Sequence, residues 1–265
     1  MSEPVPAYDG ISLRRHGHVL ELVLDRAEAL NALSTAMARS LAQACDAVAA
    51  DVGARAVVVT SASDRAFSVG ADLKERNSFS DADLMAQRPV FRAAFTGLLE
   101  LPQPTVAAVH GFALGGGLEF ALSCDLVVAD ETALLGLPEV TVGLVPGGGG
   151  TQLVRRRLGA GRAADLVLTG RRLSADEAFR LGLVDRLVPA GRDREEALEL
   201  AHAIAANSPV ATRAAKRALR LGADVDLRTG LDVEDAAWRT AAFSADRKEG
   251  IAAFNEKRRP DWPGR

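Results

Sequence analysis

The chain has 265 residues, of which 48% are hydrophobic, 25% are charged and only 5% are aromatic, and its formal net charge is −3 at pH 7. This composition excludes a disordered or fibrous protein, and the small excess of acidic residues argues against a polyanionic partner. No apolar run approaches the roughly 20 residues that a membrane-spanning helix needs, so no membrane segment is expected.

The first ten residues and the two cysteines indicate the cellular compartment of the protein. Residues 1–10 contain prolines and acidic side chains, and they lack the basic end and apolar run of a signal peptide. Cys45 and Cys124 stand among apolar neighbours, so each is predicted to be a buried free thiol, which fits a reducing compartment. We therefore expect a cytoplasmic protein.

The N-terminal part of the chain alternates strand-like and helix-like patterns. Residues 11–14 and 18–24 are predicted to pair as a hairpin that turns at Gly17. Ser34 is placed to cap a helix, and residues 56–60 form a run typical of a strand buried on both faces. The apolar positions of the helix share one face: Met37, Leu41, Ala44, Cys45 and Val48. This order predicts a right-handed parallel crossover.

Two later segments each run from a strand through glycine into the start of a helix. The first covers residues 67–74, and the second covers residues 109–119 with consecutive glycines at 115–117. Glycine lets a bound group approach the backbone, and the first N–H groups of a helix have no partner inside that helix. The amides of Ala71 and Gly116 are therefore candidate donors to a single oxygen, as in an oxyanion hole.

Two glutamates stand near these glycines in apolar surroundings. Glu119 follows Gly116 by about one helical turn, and Glu139 lies on a turn stiffened by Pro138. A glutamate early in a helix is by itself more often a partner of the helix dipole, but a charge in an apolar run must be paired, exposed or functional. Two carboxylates beside one oxyanion site would permit general acid and base catalysis.

Other motifs are absent or favour a structural role. Neither glycine cluster has the spacing of a nucleotide-binding fingerprint or a P-loop, and no nucleophile elbow of the hydrolase type occurs. The four histidines do not cluster with the cysteines, so neither a zinc site nor a Cys-His pair is supported. His110 could line the site, although a structural role is favoured. The arginines at 155–157 are interpreted as partners of a helix dipole.

The middle of the chain combines a polar stretch with two helix-start signals. The segment Glu75 to Arg88 is interpreted as broken and mobile, and Pro89 is expected to start a helix that stops before Pro102. Ser174 and Glu177 have the offset of a capping box. Further strands are predicted at 105–109, 126–128, 133–137 and 184–188.

The last quarter of the chain is predicted to be helical. Alanine, arginine and glutamate dominate after Gly191, and a composition shift at a Pro-Gly turn indicates a boundary. We therefore divide the chain into a core, residues 1–190, that carries the active site, and a C-terminal helical region, residues 191–265. Helices are predicted at 194–206, 209–221 and 227–243, with a last one after Ser244.

Several segments resemble the crotonase family, also called the enoyl-CoA hydratase/isomerase family. The resemblance covers nearly the whole chain, and it is more specific for the superfamily than for one reaction. It is carried by Leu24 to Leu33, Phe67 to Lys74, Val109 to Glu119, Gly136 to Glu139 and Pro146 to Thr151, and Phe254 to Arg258 is also similar.

This resemblance implies an α/β fold, a crotonase-like spiral of β-β-α units with a C-terminal α-helical region that closes the site and assembles a homotrimer or a dimer of trimers. It implies that an acyl-CoA thioester oxygen binds the amides of Ala71 and Gly116, and that Glu119 and Glu139 are the two catalytic glutamates. In hydratases of the family both carboxylates act on the water that adds to a 2-enoyl-CoA, giving a 3-hydroxyacyl-CoA. We therefore expect an enoyl-CoA hydratase without a metal or redox cofactor.

The resemblance also assigns contacts with the substrate. Gly147 is expected to help place the water. The expected CoA contacts come from the backbone of Ala29 and Leu30 and from the segment that includes Asp72, Leu73 and Lys74. Two positions depart from the family pattern, because Ala27 stands where many members have proline and Glu28 stands where a basic residue is frequent. Glu28 thus argues against a favourable contact with the CoA phosphates.

Two alternative functions follow from the same motifs. A 3-enoyl to 2-enoyl-CoA isomerase needs one well-placed base and no added water. A catalytically idle homologue would bind CoA esters or RNA without turnover. The acidic net charge, and the lack of aromatic residues interleaved with basic ones, argue against a nucleic-acid partner.

Overall fold

A computed structural model describes residues 8–265, which form ten strands and eleven α-helices. The strands are β1 (Ile11–His16), β2 (Val19–Leu24), β3 (Ala56–Ser61), β4 (Ala66–Ser68), β5 (Thr105–Val109), β6 (Phe112–Leu114), β7 (Leu126–Asp130), β8 (Leu134–Gly136), β9 (Arg172–Ser174) and β10 (Arg186–Val188). The interpretation of the first ten residues as free of a targeting signal falls largely outside the described residues.

The helices occupy both the connections between strands and the C-terminal part of the chain. They are α1 (Thr35–Ala50), α2 (Leu73–Arg76), α3 (Asp81–Leu99), α4 (Gly116–Ser123), α5 (Gly150–Leu158), α6 (Ala160–Thr169), α7 (Ala175–Leu181), α8 (Asp193–Ala205), α9 (Pro209–Gly222), α10 (Leu227–Ala242) and α11 (Ala245–Glu256). Among the described residues, no helix is long and apolar enough to cross a membrane.

The strands form two sheets that the chain visits in turn. The larger sheet has the order β1-β2-β3-β5-β7-β10, and the smaller has the order β4-β6-β8-β9. β1 is antiparallel to β2 and β9 is antiparallel to β8, whereas the other pairs are parallel. Successive strand pairs β3-β4, β5-β6 and β7-β8 each place one strand in each sheet and then lead into a helix. The predicted spiral of β-β-α units is confirmed.

Both faces of the larger sheet are covered, which explains its apolar strands. Side chains at alternate positions, such as Leu22 and Val57, join a core that includes α1. The intervening positions, such as Val58 and Val106, pack against the small residues of α8 on the opposite face. The predicted division of the chain after residue 190 stays a prediction; α8 itself lies against the sheet.

The early predictions agree closely with the structure. β1 and β2 form the expected hairpin, with a left-handed turn at Gly17, and the Ser34 side chain accepts a hydrogen bond from the amide of Met37. β3 runs parallel to β2, so the crossover is confirmed. Cys45 and Cys124 are buried free thiols.

The break predicted at Glu75 to Arg88 and the helix start predicted at Pro89 were wrong. α2 and the first half of α3 occupy it, and α3 begins at Asp81 rather than at Pro89, which lies inside the helix. Ser80 and Asp83 form a capping box there. The later turns of α3 pack Phe91 into the core, so tertiary packing carries the helix through the proline despite its missing N–H donor.

Two short strands and half of a capping box were also misjudged. β6 and β9 were not predicted, because each has three residues and is defined by its neighbour in the smaller sheet rather than by a pattern of its own. The Ser174 side chain does accept from the amide of Glu177, as expected. The Glu177 carboxylate binds Arg171 instead of completing the box.

Candidate active site

The amides of Ala71 and Gly116 lie beside each other where β4 and β6 end. A Cβ at residue 70 would be 2.8 Å from the Gly116 nitrogen, and a Cβ at Gly116 would be 3.7 Å from the Ala71 nitrogen. Gly70 has φ +85° and therefore reaches a conformation that favours glycine. Neither amide donates a hydrogen bond within residues 8–265. The structure thus brings the two predicted donors together and leaves both free.

The glycines at 115–117 permit this close approach of the two segments. Gly117 packs on Ser68, and a Cβ at 117 would lie only 2.0 Å from the Ser68 carbonyl oxygen. Gly115 has φ +55° and precedes the first turn of α4. The glycine cluster therefore serves helix packing as well as access to the backbone.

Glu119 is buried in the first turn of α4 and is held by the turn that precedes α5. Its carboxylate Oε1 accepts hydrogen bonds of 2.7 Å from the amides of Gly148 and Gly150. Burial raises the pKa of Glu119, while these amides and the nearby charge of Arg88 favour the ionised form. The turn itself lies on an aromatic ring, because a Cβ at Gly148 would be 2.5 Å from Phe95 Cε1.

Glu139 approaches the same region from a 3₁₀ turn, Pro138–Val142. Its Oε1 would lie 3.0 Å from a Cβ at residue 115, so the carboxyl group sits against the start of α4. Its Oε2 is buried and has no hydrogen-bond partner among the described residues. Burial raises the pKa of Glu139 to about 7, and the charge of Glu119 acts in the same direction.

The environments of the two carboxyl groups differ in a way that suits acid–base chemistry. Glu119 is fastened by two backbone donors, whereas Glu139 has an unpaired buried oxygen. A carboxyl group whose pKa is about 7 can donate or accept a proton near neutral pH. The arrangement combines a free pair of amide donors with two carboxyl groups of unequal environment.

The predicted CoA contacts at Ala29 and Leu30 lie in a turn next to the Ala71 segment. Leu30 has φ +54°, and its carbonyl accepts a 3.2 Å hydrogen bond from the amide of Val69. The amides of Ala29 and Leu30 donate to Arg26 and Ala27. A backbone hydrogen bond from Ala29 or Leu30 to a ligand would therefore use a carbonyl oxygen, which can accept a second hydrogen bond.

The segment that follows Ala71 has fewer side chains free to contact a ligand than we expected. The Asp72 carboxylate caps α2 through the amides of Lys74 and Glu75 and binds Arg26 at 2.6 Å. The side chains of Leu73 and Lys74 are exposed. Asp72 therefore has a structural task in the chain, whereas Leu73 and Lys74 are accessible to a ligand.

Gly147 lies beneath a guanidinium group that sequence reasoning did not single out. A Cβ at residue 147 would be 2.9 Å from Arg88 Nη1. Sequence reasoning also missed Phe95, which stacks on Phe120 with ring centroids 4.2 Å apart beneath the glycine turn. Arg88 ends the polar segment Glu75 to Arg88 and Phe95 lies beyond it, so no motif in the sequence singled out either residue.

His110 has the structural role that was favoured over a place in the site. Its Nδ1 lies 2.9 Å from an Asp193 carboxylate oxygen and its Nε2 lies 2.7 Å from the Ser63 carbonyl oxygen. Both partners are acceptors, so the ring is held in its protonated form, and the Asp193 hydrogen bond raises the pKa of His110 to about 9. The ring ties the end of β5 to α8.

The fold and site together define the class of protein. A spiral of β-β-α units, with paired amides at two strand-glycine-helix junctions, is the architecture of a crotonase-type protein. The chain belongs to the enoyl-CoA hydratase/isomerase family, whose model matches residues 14–265.

Relatives and solved structures agree with this assignment. The chain is 42% identical over 252 residues to the 2,3-dehydroadipyl-CoA hydratase of Escherichia coli, covering 95% of this chain and 97% of that one. It is 38% identical over 250 residues to the human mitochondrial methylglutaconyl-CoA hydratase, covering 93% and 74%. An enoyl-CoA hydratase structure from Bacillus anthracis matches with a TM-score of 0.94 and 41% identity, covering 97% of this chain and 100% of that one.

Proposed function

We propose that this chain is an enoyl-CoA hydratase, which adds water across the double bond of a 2-enoyl-CoA to give a 3-hydroxyacyl-CoA. One observation carries the proposal: Glu139 places a buried, unpaired carboxyl oxygen beside the region held by Glu119. A proton shuttle needs one such group, whereas activation and addition of water use two. The family assignment supports an acyl-CoA thioester as the substrate.

In this proposal the thioester oxygen accepts hydrogen bonds from the amides of Ala71 and Gly116. These donors stabilise the negative charge that develops on that oxygen when C3 of the enoyl group is attacked. A single donor of this type contributes about 3–4 kcal/mol of transition-state stabilisation in other enzymes. The closeness of the two amides, and the absence of a hydrogen bond from either within residues 8–265, support a pair of donors that needs little reorganisation when charge develops.

The two glutamates then divide the proton transfers. Ionised Glu119 takes a proton from water as the water oxygen bonds to C3, and protonated Glu139 gives a proton to C2. The product gains one hydrogen at C2 and one hydroxyl at C3, and proton exchange between the carboxyl groups restores the starting state. The raised pKa of Glu139, about 7, suits the acid, and the backbone donors on Glu119 suit the base. Gly147 adjoins this water position.

The test is an assay for hydration of crotonyl-CoA and longer 2-enoyl-CoA esters. The reaction is monitored through the loss of the enoyl thioester absorbance. Glu119→Gln and Glu139→Gln should keep ester binding and lower kcat by roughly 10²–10⁴-fold, since each removes an acid–base group. Glu131→Gln is the control, because Glu131 is exposed. A wild-type protein that binds the esters without hydrating any of them would contradict the proposal.

The second candidate is a 3-enoyl to 2-enoyl-CoA isomerase. It is favoured by the firm hold on Glu119, since one positioned base is enough to move a proton along an acyl chain. The two reactions differ in the source of product oxygen. Incorporation of oxygen from ¹⁸O-labelled water into the product identifies the hydratase, and double-bond migration without incorporation identifies the isomerase. A gel shift with RNA at low salt tests the idle RNA-binding alternative, and we expect no shift.

We also propose self-association, as a homotrimer or a dimer of trimers, in the cytoplasm. α10 has no buried residue in the single chain, although it carries exposed Leu227, Leu231 and Trp238. An apolar helix face of this kind is typical of an interface. Light scattering of the purified protein should give the mass of three or six chains, and Trp238→Glu should lower that mass. A monomer at micromolar concentration would contradict the proposal.

A further inference from the structure

The peptide group between Gly70 and Ala71 carries one of the two amides that are proposed to hold the thioester oxygen. Gly70 has φ +85°, and the conformational freedom of glycine does not by itself fix the plane of this peptide. Its carbonyl oxygen accepts a 2.7 Å hydrogen bond from the amide of Leu33. The peptide is trans, so the N–H of Ala71 points away from that oxygen. The segment that contains Leu33 therefore sets the direction of this donor.

Asn31, two residues before Leu33, fastens this segment to β4. Its side chain is fully buried. Nδ2 donates to the Phe67 carbonyl oxygen at 2.9 Å and to Ser61 Oγ at 2.7 Å. Oδ1 accepts a 2.8 Å hydrogen bond from the amide of Arg26. A backbone carbonyl can only accept and a backbone amide can only donate, so these partners fix the orientation of the side-chain amide.

Ser68 extends the network to the N–H group of Gly70. Its buried hydroxyl donates to the Asn31 carbonyl oxygen at 2.8 Å and accepts from the Gly70 amide at 3.2 Å. The carbonyl group of Ser68 packs against Gly117, which follows the second proposed donor, Gly116. One residue of β4 therefore connects the Asn31 network to both segments that carry the amide pair.

Two features of the network point to the site rather than to stability alone. Both hydrogen-bonding groups of Gly70 end in it, the N–H on Ser68 and the carbonyl on Leu33. In addition, Leu30 and Asn31 have φ +54° and +53°, a left-handed conformation that costs about 1 kcal/mol or more at a residue other than glycine. Backbone strain of this kind persists where the surrounding structure holds it, and it is concentrated at functional sites.

We propose that Asn31 is a positioning residue for the reaction, which through Leu33 and Ser68 keeps the Ala71 amide in the direction that the thioester oxygen requires. This inference rests on the proposed function. A preorganised donor stabilises developing charge without the cost of turning during the reaction. Misdirection of the N–H weakens the binding of an anionic oxygen more than that of a neutral one, because hydrogen bonds to charged acceptors are roughly twice as strong.

The first experiment measures the affinity of the full-length protein for two esters with acyl chains of four carbons. Acetoacetyl-CoA loses a proton from C2 to the solvent and becomes an enolate, whose charge is shared with the thioester oxygen, whereas butyryl-CoA stays neutral. At pH 8 the wild-type protein should bind acetoacetyl-CoA at least about tenfold more tightly and should show the absorbance of the bound enolate. Asn31→Gly should lower this preference about tenfold and change the affinity for butyryl-CoA by less than about threefold.

The variants separate positioning from stability. Glycine is chosen at residue 31 because it removes the side-chain amide and accepts the positive φ. Ser68→Ala removes only the hydroxyl group and should lower the enolate preference about threefold.

Gln103→Ala is the matched control for the loss of a buried amide. Gln103 is fully buried, and its Nε2 donates to the Val48 carbonyl oxygen in the last turn of α1. That turn is about 20 Å along the helix from the end that follows Asn31. Gln103→Ala should lower the free energy of unfolding and leave the preference for the enolate intact.

Hydration of crotonyl-CoA gives the kinetic counterpart. Asn31→Gly should lower kcat about 10–100-fold and change KM by less than about threefold, since a misdirected donor is missed chiefly in the transition state. Gln103→Ala should match wild type in both constants.

Three results would overturn the inference. Equal affinity of the wild-type protein for the two esters would show that the amide pair does not hold an oxyanion. Equal weakening of both esters in Asn31→Gly would show that Asn31 only maintains the fold. If Asn31→Gly does not fold, Ser68→Ala decides, and an unchanged enolate preference in that variant would contradict the inference.

The two assays also distinguish this inference from the proposed function. Hydration of crotonyl-CoA by wild type and by Asn31→Gly with the same kcat would contradict the inference alone. An enolate preference that Asn31→Gly lowers, in a protein that hydrates no 2-enoyl-CoA, would contradict the proposed function alone.

Discussion

The carboxyl group of Glu139 lies directly against Gly115, at a distance that would crowd a Cβ. Oε1 would be 3.0 Å from that atom, and Gly115 has φ +55° and ψ −124°, a conformation that side chains rarely adopt. The residue that immediately precedes α4 therefore lies in contact with a carboxyl group from a later turn. This relationship joins the two segments that the proposed chemistry requires.

Gly115→Ala should lower hydratase activity at least about tenfold. The new methyl group pushes the Glu139 carboxyl group away, and the backbone strain of roughly 1–3 kcal/mol shifts the start of α4. Gly182→Ala is the matched control, since Gly182 also has a positive φ, +87°, with nothing within 4 Å of a Cβ. It should cost similar stability and leave kcat unchanged. Equal activity losses in both variants would contradict the steric explanation.

Alanine substitution at two helical glycines should change the free energy of unfolding in opposite directions. Gly117→Ala should lower the free energy of unfolding by about 3 kcal/mol or more, because its Cβ would lie 2.0 Å from the Ser68 carbonyl oxygen. Gly161→Ala, in α6 with open space around it, should raise that free energy by roughly 0.5 kcal/mol. Urea unfolding of both variants measures the difference. A Gly117→Ala protein as stable as wild type would contradict the close packing of α4 on Ser68 of β4.

The raised pKa of Glu139 should appear in the pH dependence of stability. A carboxyl group with a pKa of about 7 when folded and 4.5 when unfolded binds its proton more tightly in the folded protein. Its contribution to stability is therefore complete below pH 4.5 and is lost as the pH rises through 7.

Glu139→Gln should equal wild type in stability at acid pH and exceed it by about 2 kcal/mol above neutral pH. This value is below the full linkage figure because the side chain is only partly buried. Urea unfolding of ligand-free protein between about pH 5 and pH 8 gives the curve. The exposed Glu131→Gln variant should remain parallel to wild type, and a parallel Glu139→Gln curve would contradict the raised pKa.

We expect Asp125, which immediately precedes β7, to form the main ion pairs between α9 and the larger sheet. It binds Lys216 at 2.8 Å and Arg220 at 2.7 Å, and Lys216 is only 8% exposed. Asp125→Asn should cost about 3 kcal/mol, because it leaves a buried ammonium group without its counter-ion. Asp224→Asn, which breaks an exposed pair with Arg156, should cost less than about 1 kcal/mol. Thermal unfolding of the two variants tests this contrast.

The sequence alone was sufficient where a local pattern and its tertiary environment agreed. The strand runs of β2 and β3, the cap at Ser34 and the four C-terminal helices were predicted within one or two residues of their observed positions. The two strand-glycine-helix segments also predicted the amide pair, because glycine at such junctions serves few purposes other than close approach. These features depend on neighbours along the chain.

Prediction was wrong where the deciding contact came from a distant part of the chain. The local sequence predicts that a helix starts at Pro89. The cap at Ser80 and the packing of Phe91 instead extend α3 across this residue. β6 and β9 have no pattern of their own, since a three-residue strand is defined by the strand beside it.

By itself, the sequence determined the superfamily, the alternation of strands and helices, and the identities of Ala71, Gly116, Glu119 and Glu139 as a candidate set. Only the tertiary structure decided how these groups are held: Glu119 on two amides of a later glycine turn, Glu139 against Gly115, and Arg88 over Gly147. The physical reason is that hydrogen bonds, steric contact and burial depend on distance in space. Residues from separate turns of the spiral become neighbours only when its two sheets are stacked.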